Sequence, residues 1–161
     1  MAKRKKTKIK KHVFKLDEIP QAYDFALFGI QTQQPLYQFV YDFNRLFGFG
    51  FKAGKDIKVI RKNREVNFEN YVTEDNAIGQ KKRLLNNEIL VPIAHPNTLF
   101  DTHEAYYLFP ELPSIHYLLM IQNDDDFNFG YLQQNFKVPY KVTWIEIDLK
   151  KCATVFPVFP V

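Results

Sequence analysis

Five residues in the middle of the chain carry the chemistry needed for catalysis or metal binding: His95, Asp101, His103, Glu104 and His116. The stretch DTHE sets a carboxylate on each side of His103. A histidine so flanked is a candidate general base, because a neighbouring carboxylate orients the ring and favours its charged form. A zinc site asks for more: three or four ligands converging at about 2.0–2.2 Å. No two of the four histidines stand at the i, i+4 spacing that places a pair on one helix face. The His95–His103–His116 region thus defines an alternative reading as a small enzyme. The pattern itself assigns no catalytic, cofactor-binding or metal-ligating residue, and no cofactor is expected.

Other chemically suggestive stretches fail on spacing. Thiol catalysis would need Cys152 beside a histidine such as His116, and the order of residues gives no reason for them to meet. The run NDDDFN suggests calcium, but a calcium-binding loop needs Gly at its sixth position and Glu at its twelfth. Counted from Asp124, the twelfth residue is Asn135. Asp124 to Asp126 read better as the cap of a short helix. GFGFKAGKD is rich in glycine, yet Lys55-Asp56 follow where a phosphate loop needs Lys then Ser or Thr. It reads as a flexible turn after a helix.

The strongest signal is charge placement. Eight of the 22 Lys and Arg residues lie in the first 15 positions: Lys3, Arg4, Lys5, Lys6, Lys8, Lys10, Lys11 and Lys15. No acid lies among them, so residues 16–161 hold 14 basic and 18 acidic groups, a net of −4. The chain's net charge of +4 therefore belongs to one end. Clustered cations displace counterions from phosphates, which gives salt-sensitive binding without sequence choice. Lys3, Arg4, Lys5, Lys6, Lys8, Lys10 and Lys11 are the candidate contacts to RNA, a ribosome or an acidic protein.

These groups must be carried by a scaffold. With 161 residues and 46% hydrophobic content, the chain suits one globular domain. Sixteen Phe, nine Tyr and one Trp supply a Phe-rich core or an aromatic partner surface. Residues 1–11 are expected to form a mobile basic tail, 12–152 the domain, and 153–161 an extended apolar tail. Strands are expected at HVFKL, at YDFALFGIQT (or a helix start there), and as a hairpin over DIKVIRKNREVNFENYV turning at Lys62-Asn63-Arg64. TEDNAIGQKKRLLNNE is ambiguous. Further strands are expected at AYYLF, IHYLLMI and YKVTWIEIDL, with a weaker one at ILVPIA that Pro92 confines to an edge. HPNTLFDTHE reads as loop.

The clearest element is PLYQFVYDFNRLFG. Leu36, Phe39, Val40, Phe43 and Leu46 or Phe47 follow a helical face, between Pro35 and Gly48. Gln38, Asp42 and Arg45 fall on its wetter side. The fold class expected is α+β: a mainly antiparallel sheet with one long and one short helix packed on one face. The tail VFPVFP either packs on its own domain or makes a homodimer contact. A single cysteine excludes an internal disulfide framework and favours a reducing, cytoplasmic setting. No apolar run approaches the roughly 20 residues of a membrane span.

Four stretches, in order, resemble the IPExxxVDY family of Bacteroidota. Phe109-Pro110-Glu111, three residues, then Ile115-His116-Tyr117 is similar to the motif that names it. YDFALFGI is similar to its N-terminal strand, LYQFVYDFNRLFG to its following helix, and TWIEID to its closing strand. Here Phe109 stands for Ile, Ile115 for Val and His116 for Asp, so any chemistry of that Asp is absent. The resemblance implies no assigned activity. The family's genes tend to neighbour those for acyl carrier protein, a fatty-acid condensing enzyme, ribonuclease III and pyruvate kinase, which is association and not mechanism; an acyl carrier protein would be one acidic partner for the basic tail. From the residues alone, Pro110 and Pro113 stiffen a bend, and Ile115 and Tyr117 are expected on one strand face with His116 and Leu118 on the other. The function expected is a non-catalytic binding or adaptor module.

Overall fold

The computed structural model describes residues 25–152 apart from 76, 78, 94–101 and 123. The basic tail at 1–11, the strand expected at HVFKL and the apolar tail at 153–161 lie outside the described residues.

The chain forms β1 (Phe25–Gln31), α1 (Leu36–Phe47), β2 (Lys52–Ala53), β3 (Ile57–Arg61), β4 (Arg64–Phe68), β5 (Asn70–Asp75) and β6 (Gln80–Asn86). It continues with β7 (Glu88–Ile93), β8 (Thr102–Tyr107), β9 (Tyr117–Gln122), α2 (Phe129–Asn135), β10 (Thr143–Glu146) and a single 3₁₀ turn (Leu149–Lys151). Six strands make one sheet in the order β10-β1-β9-β6-β5-β2, antiparallel at every pair. Hairpins β3–β4 and β7–β8 form two further two-stranded sheets. This is an α+β fold.

Each face of the large sheet buries its own cluster. On one face Phe28, Ile30, Leu84, Leu119 and Ile121 pack with Leu36, Phe39, Val40 and Phe43 of α1 and with Leu132 of α2. On the other, Leu27, Leu85, Leu118 and Met120 pack with Val66, Phe68 and Tyr106 from the two hairpins. The alternation of Leu84 and Leu85, and of Leu118 and Leu119, feeds both clusters, as expected of strands buried on two sides. No Phe among the described residues is exposed, so those rings belong to the core.

Local sequence explains the elements. Pro35 precedes α1 with extended backbone, and Gly48 ends it at φ 64° while its N–H bonds Asn44 O at 3.0 Å. That left-handed stop favours glycine. Lys62 and Asn63 both take positive φ between β3 and β4, the two-residue turn that matches strand twist. Pro92 sits in β7, which among the described residues pairs with β8 alone.

Several expectations are corrected. Asp42 is buried rather than wet: the Tyr140 hydroxyl donates to it at 2.5 Å and Arg45 pairs with it at 3.3 Å, which compensates its charge. Thr102–Glu104 belong to β8 and not to a loop, because the Ile93 to Thr102 pairing extends the hairpin. The glycine-rich stretch is pinned: the Asn44 side chain accepts from Phe51 N at 2.7 Å and donates to Phe51 O at 3.0 Å. Helix α2 is capped by Asn128, which accepts from Tyr131 N at 2.8 Å, so Asp124 to Asp126 lie before it.

Candidate functional site

The motif stretch is a turn joining β8 to β9, and one buried side chain holds it. Asn87, fully buried between β6 and β7, donates from Nδ2 to Leu112 O at 2.9 Å and Ile115 O at 2.8 Å. Its Oδ1 accepts from Phe109 N at 2.9 Å. Its own backbone bonds His116 O and Leu108 N. Every polar atom of Asn87 is thus spent on the turn, which follows from the cost of burying an unpaired amide. Phe109 and Ile115 enter the hairpin-side core, while Pro110 and Glu111 are exposed.

Ile115 and Tyr117 do not share a face, contrary to expectation. Ile115 joins the hairpin-side cluster and Tyr117 packs on the helix side. The chain is still turning at Ile115, whose N–H bonds Leu112 O, and strand alternation begins only at Tyr117. Gly29 lies beneath this turn; a Cβ there would meet Ile115 Cδ1 at 2.8 Å.

His116 is used structurally. Its Nδ1 accepts from Thr32 N at 3.1 Å, which requires a lone pair there, and its Nε2 lies 3.8 Å from Glu88 Oε2. Glu88 also accepts from the Tyr107 hydroxyl at 3.1 Å. The Tyr117 hydroxyl donates to Gln34 O at 2.6 Å, and burial pushes its pKa up to about 12. His103 is exposed and pairs with Pro92, four residues along β8 from Tyr107, roughly 13 Å away at strand rise. His103 and His116 are therefore not brought together. Glu104 is engaged by Lys62 and by the Tyr106 hydroxyl, and the Lys62 hydrogen bond holds its carboxyl below the usual range. His95 and Asp101 lie outside the described residues. Among the described residues no three His, Cys, Asp or Glu side chains converge as a metal site would require.

Cys152 is buried in the hairpin-side cluster, and desolvation pushes its thiol up. A raised thiol pKa opposes nucleophile chemistry. Asp124 pairs with Lys82 at 2.8 Å, a structural use of one calcium-like carboxylate. The basic residues Lys3 to Lys11 lie outside the described residues.

The described residues also form open clefts. One, of about 550 Å³, is lined by Phe136, Val138, Tyr140, Val142 and Trp144 beside α2. Another, of about 640 Å³, lies at the β2–β5–β6 end of the sheet and is lined by Lys52, Gly54, Lys55, Asn70, Arg83 and neighbours. Neither Asn87 nor this cationic cleft was legible as a site. Asn86-Asn87 directly after Leu84-Leu85 was the one hint of a buried polar pin. Lys52 and Lys55 were hidden in a stretch that reads as a turn. Arg83 faces them only once β5 and β6 pair.

No helix among the described residues is long and apolar enough to cross a membrane. No family model, curated protein or solved structure matches the chain.

Proposed function

We propose that this protein is a non-catalytic binding module that engages an anionic partner, RNA or ribosome in the first place, through its basic run. The observation that carries this reading is the charge separation: eight cations in the first 15 residues, ahead of a remainder at net −4. Such a run binds polyanions through counterion release and needs no pocket. The use of the motif polar groups supports it. Asn87, His116, Glu88 and Tyr117 are committed to backbone groups and to one another. A family relationship to IPExxxVDY proteins fits the same reading, with the motif as a structural turn.

The test is a pull-down from native lysate with the full chain and with residues 1–11 deleted, each with and without nuclease. Loss of RNA or ribosomal components on deletion is the expected result. A protein partner that survives both deletion and nuclease would contradict it and place function in the folded body.

A further inference from the structure

The hairpin-side face of the large sheet carries a row in register: Lys52 opposite Val72, Val72 opposite Arg83, Arg83 opposite Met120, and Met120 opposite Leu27. Met120 and Leu27 lie under the hairpins in the core. At the other end of the row the sheet opens into the cationic cleft of about 640 Å³. Its lining holds four cations, Lys52, Lys55, Lys81 and Arg83, against two acids, Asp56 and Glu74. Lys81 is already paired with Glu74. Among the described residues no carboxylate lies at ion-pair distance from Lys52 or Lys55, and both are exposed. Arg83 is partly buried at the floor, where desolvation lowers its pKa and the nearby Glu74 carboxylate opposes that shift.

The floor also holds an unused acceptor. Asn70 is only 6% exposed, and its Oδ1 has no hydrogen-bond partner among the described residues. Its Nδ2 donates to Lys55 O at 3.2 Å, so turning the amide over would lose that bond. Gly54 lies directly against it: a Cβ there would come within 3.1 Å of Asn70 Nδ2 and 2.9 Å of Val72 Cγ2. A buried acceptor without a donor is costly, and a ligand hydroxyl relieves it. A carboxylate or phosphodiester oxygen offers no proton, whereas a ribose 2′-hydroxyl does. Among the described residues no aromatic ring lines the cleft; Tyr71 of β5 packs on the opposite face. Bases would not stack there, so contact would be to the backbone alone.

We propose that this cleft binds the phosphate–ribose backbone of an RNA strand, with Lys52 and Lys55 on phosphates and Asn70 Oδ1 accepting from a 2′-hydroxyl. The proposal rests on the reading of the protein as a polyanion-binding module and adds a second, folded contact to the basic run. Binding follows no base sequence.

The test is amide chemical-shift mapping on the full-length, ¹⁵N-labelled chain with an oligouridine strand, the matched deoxy strand and a polyglutamate peptide. The expected result is RNA-induced shifts concentrated at Gly54, Asn70, Val72 and Arg83, weaker with the deoxy strand. The variant Lys52→Gln/Lys55→Gln, altered only at exposed positions, loses about tenfold in RNA affinity. Its slope of log affinity against log salt falls by about 1.4, at roughly 0.7 per phosphate contact. Shifts confined to residues 1–15 would overturn the cleft while the polyanion reading stands. No shift with any ligand would overturn both. Equal cleft shifts from polyglutamate would overturn RNA in favour of an acidic peptide. Equal affinity for RNA and DNA would overturn the hydroxyl contact to Asn70.

Discussion

The motif turn at 109–117 and the cationic cleft at β2–β5–β6 are both rich in polar groups, but they use them differently. In the turn, Asn87 satisfies Phe109, Leu112 and Ile115, and His116 satisfies Thr32. In the cleft, Asn70 Oδ1 has no partner among the described residues, and Lys52 and Lys55 face solvent. A polar group already paired inside the fold has little to offer a ligand, because binding would exchange one bond for another. A conspicuous motif is thus compatible with a purely architectural role. An inconspicuous pair of lysines is the better place to look for a partner.

The difference is sharpest at Asn87. Asn87→Leu leaves three backbone groups of the turn unpaired, and should cost about 4 kcal/mol, read as a lower urea midpoint. Lys52→Gln/Lys55→Gln should stay within about 0.5 kcal/mol of the parent in the same assay. If the two cost alike, the turn is not the pinned region described. Next comes Gly29→Ala, which drives a methyl into Ile115 and should cost roughly 1–3 kcal/mol. Adding Ile115→Val removes the colliding Cδ1 and should recover part of that loss, a non-additive cycle that would be absent if the two were not in contact.

Tyr140→Phe removes the 2.5 Å donor to buried Asp42 and should cost about 1–2 kcal/mol, extending the rule of spent polar groups to the helix side. A further effect is alkaline. Tyr117 is pushed from 10.0 to about 12, first by burial. A raised folded-state pKa means stability fully present below pH 10 and lost as pH climbs towards 12. Tyrosinate absorbance should show this residue titrating with unfolding, and Tyr117→Phe should flatten the loss.

Much of this architecture is written in local pattern. Helix α1 follows from its apolar spacing between Pro35 and Gly48, and the β3–β4 hairpin from Ile57, Val59, Val66 and Phe68 around a polar turn. What failed were features that depend on distant partners. Asp42 reads as a solvated helix residue until Tyr140, 98 positions away, reaches it. The hairpin layer over the second sheet face was not foreseen, because Leu84-Leu85 lay in an ambiguous polar stretch and Leu118-Leu119 read only as part of a strand. The cleft needs β2, β5 and β6 to align Lys52, Val72 and Arg83, and no spacing along the chain encodes that.

The most direct measurement compares His116→Ala with Lys52→Gln/Lys55→Gln in parallel, each for urea stability and for RNA affinity by fluorescence anisotropy. His116→Ala should lose stability, since Thr32 N–H loses its acceptor, and bind RNA as the parent does. The lysine variant should keep its stability and lose about tenfold in affinity, since two phosphate contacts are removed. Weakened RNA binding by His116→Ala with an unaffected lysine variant would place the partner at the motif and contradict the account.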